Sequence, residues 1–333
     1  MGGDCRTVAQ EAMLPYDPIP WLMEQDGLPA ARARRLLGLR CEGDSEAVRS
    51  LMLELSRAQS QSGSFAGSPI KTAGVLNLLD DLGAIGSQGL VAAGVSYLIS
   101  VLESQPGHQE AGDLKPGSLQ TPCYLGGFFG PYDLRARPEV LARGAQEMNF
   151  YREFEPLLAP KTPVRSVPRS SRDRVGPGSC YAWGLIPLSY TVEAICRAGH
   201  ADDGRVQPAI NALLGAQRGS GGWCRNLGGH PSCTLHAIRV LGSHPVLRRG
   251  EHARRALEFM RSSRGKFSPF AALQAFAAFD LPAAQDMIRG ALTALAGRQR
   301  KNGTFGGPCR VERVAAVLVA LGAATSGRPR GST

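Results

Sequence analysis

Along the chain, apolar positions recur at helical spacing in two alternating textures. Ser45–Gln59, Val206–Gln217, His252–Met260 and Ala283–Gln299 set Leu, Ile, Met and Ala three and four apart with polar residues between them. That period predicts amphipathic helices with one solvated face. Ile70–Leu82, Cys233–Leu241, Phe270–Phe279 and Cys309–Leu321 are more uniformly apolar and rich in small residues. They read as helices surrounded by protein. Neither texture shows the period-two alternation of β-branched residues that marks a half-buried strand, so the pattern is all-α.

A turn signal separates the two textures. Gln-x-x-x-Gly-x-aromatic occurs as Gln59…Gly63-Ser64-Phe65, Gln217…Gly221-Gly222-Trp223 and Gln299…Gly303-Thr304-Phe305, and Arg261…Gly265-Lys266-Phe267 keeps its end. The copies that begin at 217, 261 and 299 recur every 38–44 residues. Helical hairpins repeated at that period stack into an open solenoid or a closed ring. The 333 residues suit one such unit, so residues 1–333 read as a single domain. Residues 18–44, with Trp21-Leu22-Met23-Glu24 and Ala30–Leu39, read as an N-terminal helical extension. Residues 104–179 break the period. They hold Gly126-Gly127-Phe128-Phe129-Gly130, a helical pattern over Glu139–Leu158 and a basic loop at 161–174 with Lys161, Arg165, Arg169, Arg172 and Arg174. An insertion of this kind reads as a lid or rim, with a solvated connector as the alternative.

Composition narrows the choices. With 43% apolar and 20% charged residues the chain is not of the disordered class, and no apolar run reaches the roughly 18–20 residues of a membrane helix. An excess of 38 basic over 28 acidic residues gives +10, which suits an anionic partner. No nucleic-acid motif and no Gly-rich phosphate loop accompanies it. The N-terminus has no apolar signal region, so a cytoplasmic location is expected. Eight cysteines then read as buried thiols, metal ligands or reactive groups rather than disulfides.

In a ring of helical hairpins all inner helices run the same way and share one rim. Cys180, Cys233 and Cys309 each open an inner helix, where the thiolate form is favoured. Cys180, Cys224, His230 and Cys233 would supply the four N/S ligands of a zinc ion, with plain buried cysteine as the alternative. His236 lies one turn beyond Cys233. Glu193 and Glu312 are carboxylates on apolar inner helices, each either a buried general acid or an ion-paired residue; Arg310 and Arg313 flank Glu312. Glu193, Glu312 and His236 are therefore the catalytic candidates. Trp183, Tyr190, Phe270 and Phe276 read as cavity wall or as core. Asp80-Asp81 reads as a surface pair at a helix end, and Asp202-Asp203 as a helix N-cap.

The repeat over residues 45–323 resembles that of the terpenoid cyclase and protein prenyltransferase superfamily. The resemblance implies an α/α toroid of about five to six hairpins in concentric rings, with an isoprenoid or other apolar substrate in the lumen. Cys180-Tyr181-Ala182-Trp183 is similar to the segment that carries the zinc cysteine of prenyltransferase β subunits. Gly229-His230-Pro231-Ser232-Cys233 is similar to the one that carries the zinc histidine, offset by one residue. Arg172 and Tyr181 fall on positions that hold a prenyl diphosphate in those enzymes, with Arg174 nearby. The family's zinc Asp falls at Gly178, so Cys224 or Cys233 would replace it, and its second basic ligand falls at Val175. The Asp-x-Asp-Asp segment of class II cyclases does not occur in the sequence. Trp223-Cys224 is similar to the Trp-Cys segment of lanthionine cyclases, which implies zinc and a peptide substrate, although their Cys-His-Gly is missing. The expectation is a prenyltransferase- or cyclase-like enzyme acting on an apolar or prenyl-diphosphate molecule, with the lanthionine-type protein and a non-catalytic toroid as alternatives.

Overall fold

In a computed structural model, the described residues are 14–39, 41, 43–65, 67, 69–84, 88–104, 185–223, 231–263, 266–305 and 310–326. They form α1 (Ile19–Met23), α2 (Leu28–Leu36), α3 (Asp44–Ala58), α4 (Pro69–Asp81), α5 (Gln88–Glu103) and α6 (Leu185–Ile195). These are followed by α7 (Gln207–Gly215), α8 (Pro231–Ser243), α9 (Glu251–Ser262), α10 (Pro269–Phe276), α11 (Pro282–Ala296) and α12 (Arg310–Ser326). Proline stands in the first turn of α1, α2, α7, α10 and α11, where its missing N–H costs no helical bond. The only extended pairing among the described residues is two isolated bridges, Gln59–Phe65 and Gln299–Phe305. No helix of the described residues is long and apolar enough to cross a membrane.

The bridges belong to the repeat turns, which share one construction. The Nε2 of Gln59 donates to the carbonyls of Gly63 and Leu90, each at 2.9 Å. Gln217 donates to Gly221 at 2.9 Å and His252 at 3.0 Å, and Gln299 to Gly303 at 2.9 Å and Tyr16 at 2.7 Å. Each glutamine thus closes its own turn and ties it to the start of another helix. The glycines have φ of 84°, 91° and 79°, a region costly for any residue with a Cβ. A Cβ would also strike backbone: 2.1 Å from the Ala93 oxygen at Gly63, 2.2 Å from the Arg255 oxygen at Gly221 and 2.5 Å from Pro18 Cα at Gly303. The N–H groups of Phe65 and Trp223 each donate, at 3.0 Å, to Thr72 and Thr234 in the first turn of the next helix. The Gln-x-x-x-Gly spacing is therefore a hydrogen-bonding requirement, and the aromatic rings at its end are buried.

Packing follows the hairpins. α4 contacts α6, α6 contacts α8, α8 contacts α10, α10 contacts α12, and α12 contacts α2, which also touches α4. α3 packs on α2, α5 on α4 and α6, α7 on α6, α9 on α8, and α11 on α10 and α12. Tyr16 and Gln299 exchange two hydrogen bonds, Tyr16 N–H donating to Oε1 at 3.0 Å.

Three expectations change. Gln88–Glu103 is a full helix, α5, which the repeat pattern did not single out. α7 has no broad solvated face, because eight of its nine residues, Pro208–Gly215, are buried. Asp203 does not cap α7, whose N-cap is Val206; it accepts from the backbone N–H and guanidinium of Arg205, which hold its carboxyl at about 2. The expected insertion at 104–179, with its basic loop, lies outside the described residues apart from Ser104.

Candidate functional site

α2, α4, α6, α8, α10 and α12 line a cavity of about 710 Å³. One stripe of α4, Lys71, Gly74, Asn77, Leu78 and Asp81, supplies a wall at three- and four-residue spacing. Glu193 and Arg197 come from α6 and the turn after it, Arg239 from α8, and Arg248 from the loop beyond α8. Phe270, Leu273, Ala277, Ala315, Ala316 and Val319 give the cavity an apolar side. The lining includes six cationic side chains, Arg32, Lys71, Arg197, Arg239, Arg248 and Arg313, against two carboxylates, Asp81 and Glu193. The lumen is thus mixed in character, half greasy and half strongly basic.

The carboxylates are bound into one network. Arg32 Nε donates to Asp81 Oδ2 at 2.7 Å, and Arg197 pairs with Asp81 Oδ1. Arg197 also donates through Nε to Asp80 Oδ2 at 2.7 Å and approaches Glu193 Oε1 at 3.8 Å. Arg239 donates twice to Glu193 Oε1, at 3.1 and 2.8 Å. Burial by itself would raise the Asp81 pKa, but Arg197 and Arg32 outweigh it and hold the carboxyl below the carboxylate range. Desolvation likewise works against the charge of Arg197, and Asp81, Asp80 and Glu193 overcome it. Asp81 is 6% exposed, so the surface reading is corrected for Asp81, which sits at a buried junction of α2, α4 and the turn after α6; the Asp80 side chain is partly exposed.

Among the sequence-derived candidates, Glu193 does face the cavity, as an ion-pair partner with Oε1 engaged rather than as a free acid. Tyr190 and His236 meet across the α6–α8 interface with ring centroids 5.1 Å apart, and the Arg239 guanidinium lies 5.7 Å from the Tyr190 centroid. Desolvation, helped by Arg239, pushes His236 down to about 4, so it is a neutral imidazole at pH 7. Desolvation raises the Tyr190 pKa, with Glu193 acting the same way and Arg239 opposing. Phe270 lines the cavity, packs edge-on against Phe305 at 5.7 Å and carries Arg313 5.0 Å above its ring. Phe276 takes the core alternative: it is fully buried, 6.3 Å from Phe267 and not among the residues that line this cavity.

The expected zinc site fares differently. Cys233 is buried and disulfide-bonded, against the expectation of thiols rather than disulfides; the described Cys41 and Cys196 are free. Among the described residues no group of three or more His, Cys, Asp or Glu side chains is placed to hold a metal. Cys180, Cys224, His230, Arg172, Arg174, Tyr181 and Trp183 lie outside the described residues, as does the Glu312 side chain.

Sequence reasoning missed Arg32, Asn77, Asp81, Arg197 and Arg239 as site residues. The stripe of polar positions through the otherwise apolar α4 was the available signal, since a buried polar residue needs a partner. Partners on four separate helices leave no local mark. No protein-family model, no curated protein and no solved structure matches the chain.

Proposed function

We propose that the chain is an α/α toroid of the terpenoid cyclase and prenyltransferase type whose lumen binds an amphipathic organic anion. The observation that carries this reading is the cavity itself, walled by six helices and lined by six cations against two carboxylates beside an apolar face. The return of α12 onto α2 and the Gln299–Tyr16 clasp support closure of the ring. Guanidinium groups suit phosphate and carboxylate oxygens, and the Phe270–Leu273–Ala316 side suits a hydrocarbon chain. A prenyl diphosphate combines both parts.

The test is native mass spectrometry and calorimetry of the full chain with farnesyl diphosphate, farnesol and inorganic diphosphate. The reading expects farnesyl diphosphate to bind more tightly than either fragment. Absence of binding, or farnesol binding as tightly as its diphosphate, refutes it.

A further inference from the structure

Four buried side-chain atoms among the described residues have no hydrogen-bond partner: Nδ2 and Oδ1 of Asn77, Nε of Arg248 and Oγ1 of Thr191. Three of the four belong to Asn77 and Arg248, both of which line the cavity. Asn77 is 5% exposed, so both its donor and its acceptor are withdrawn from bulk water, and the residue lines the cavity. Leaving such groups unmet is costly, and proteins seldom do so without a reason. The other arginines of this end of the cavity, Arg32, Arg197 and Arg239, are engaged with Asp81, Asp80 or Glu193. Arg248 has no acidic partner among the described residues. Asn77 stands one turn before Asp81 on α4, Arg248 follows the end of α8, and both line the cavity that Asp81 and Glu193 also line.

From these unmet groups we infer that Asn77 and Arg248 form a recognition subsite for an amphipathic anion that carries a hydroxyl group near its charged head. Arg248 takes the oxyanion. Asn77 takes the hydroxyl, which can both accept from Nδ2 and donate to Oδ1 in the way that a hydrocarbon chain cannot. A chain without a hydroxyl leaves the carboxamide as it is in the empty cavity, unpaired, and so binds without this contribution. The inference rests on the cavity being an anion site and adds what that site discriminates.

Two hydroxylated probes separate a carboxylate head from a phosphate one: 3-hydroxydecanoate and 1-decanoyl-glycerol 3-phosphate. Their counterparts without the hydroxyl are decanoate and 3-(decanoyloxy)propyl phosphate. Calorimetry on the full wild-type chain is expected to show at least one hydroxylated probe binding about tenfold more tightly than its counterpart, the value of one satisfied hydrogen bond. In Asn77→Leu that preference disappears while the affinity for the counterpart is retained. Arg248→Met weakens all probes together. Without ligand, Asn77→Leu melts at or above the wild-type temperature, because it removes an unpaired buried polar group. Equal affinity within both wild-type pairs overturns the subsite, as does a preference that survives Asn77→Leu or a lower melting temperature for that variant. Failure of every anion, farnesyl diphosphate included, overturns instead the reading of the cavity.

Discussion

The strongest stability prediction concerns Asp81→Asn. The substitution keeps the shape of the side chain and removes its charge from a junction where Arg32 and Arg197 both converge. Removing one partner of a buried ion pair costs about 3–5 kcal/mol. The lower end applies here, because the Arg32 side chain is 34% exposed and can turn to water, while Arg197 keeps Asp80 at 2.6 Å. About 3 kcal/mol corresponds to a melting temperature lowered by about 4 °C in a chain of 333 residues. Urea unfolding at pH 7 reads the loss directly as a lower midpoint at unchanged slope. The pH dependence supplies an internal control. The folded pKa of Asp81 lies below its ordinary 3.8, so its contribution is complete above that value and fades as pH falls through the folded pKa. The gap between wild type and variant should therefore be constant from pH 7 to about 4 and close in stronger acid. A gap under about 1 kcal/mol at pH 7 would place the pair with ordinary surface ion pairs and refute the argument, as would a gap unchanged in acid.

Two further predictions follow from the same structure. His236 should titrate near 4 by NMR, and because it binds fewer protons folded than unfolded, stability should rise with pH between about 4 and 6.5. His236→Phe should flatten that slope, and an ordinary histidine titration near 6.5 would contradict the desolvated position. Gly221→Ala should destabilise by more than about 2 kcal/mol through its φ of 91° and the Arg255 oxygen in its path, while Gly219→Ala, with nothing within 4 Å, should stay within about 0.5 kcal/mol. Equal chemical-denaturation midpoints for the two variants would contradict the turn geometry.

The hairpin repeat was legible because each element of Gln-x-x-x-Gly-x-aromatic answers a local need. Gln217 spans its own turn to Gly221, glycine occupies φ of 91°, and Trp223 fills the gap behind, its Nε1 donating to the Leu213 carbonyl at 2.7 Å. Helix limits were read to within a few residues, as with Ser45–Gln59 against Asp44–Ala58. The chemistry of the lumen was not legible. Asp81 looked like a surface carboxylate because its partners are 49 and 116 residues away, on other helices. Tyr190, Glu193 and His236 were singled out separately, but their meeting with Arg239 depends on how α6 and α8 pack. An apolar helix pattern shows that a face is buried, not that the space beyond it is charged.

The glutamine clasp between Gln299 and Tyr16 has a kinetic consequence. Its geometry matches the bonds of Gln59 to Leu90 and Gln217 to His252, but those partners are 31 and 35 residues apart, whereas the clasp joins positions 283 apart. Loop-closure entropy grows as the logarithm of that separation, so the same bond forms at a disadvantage of about 2 kcal/mol. Contacts of such high sequence separation come late in folding. The clasp is therefore the last turn of its kind to form and the first to release.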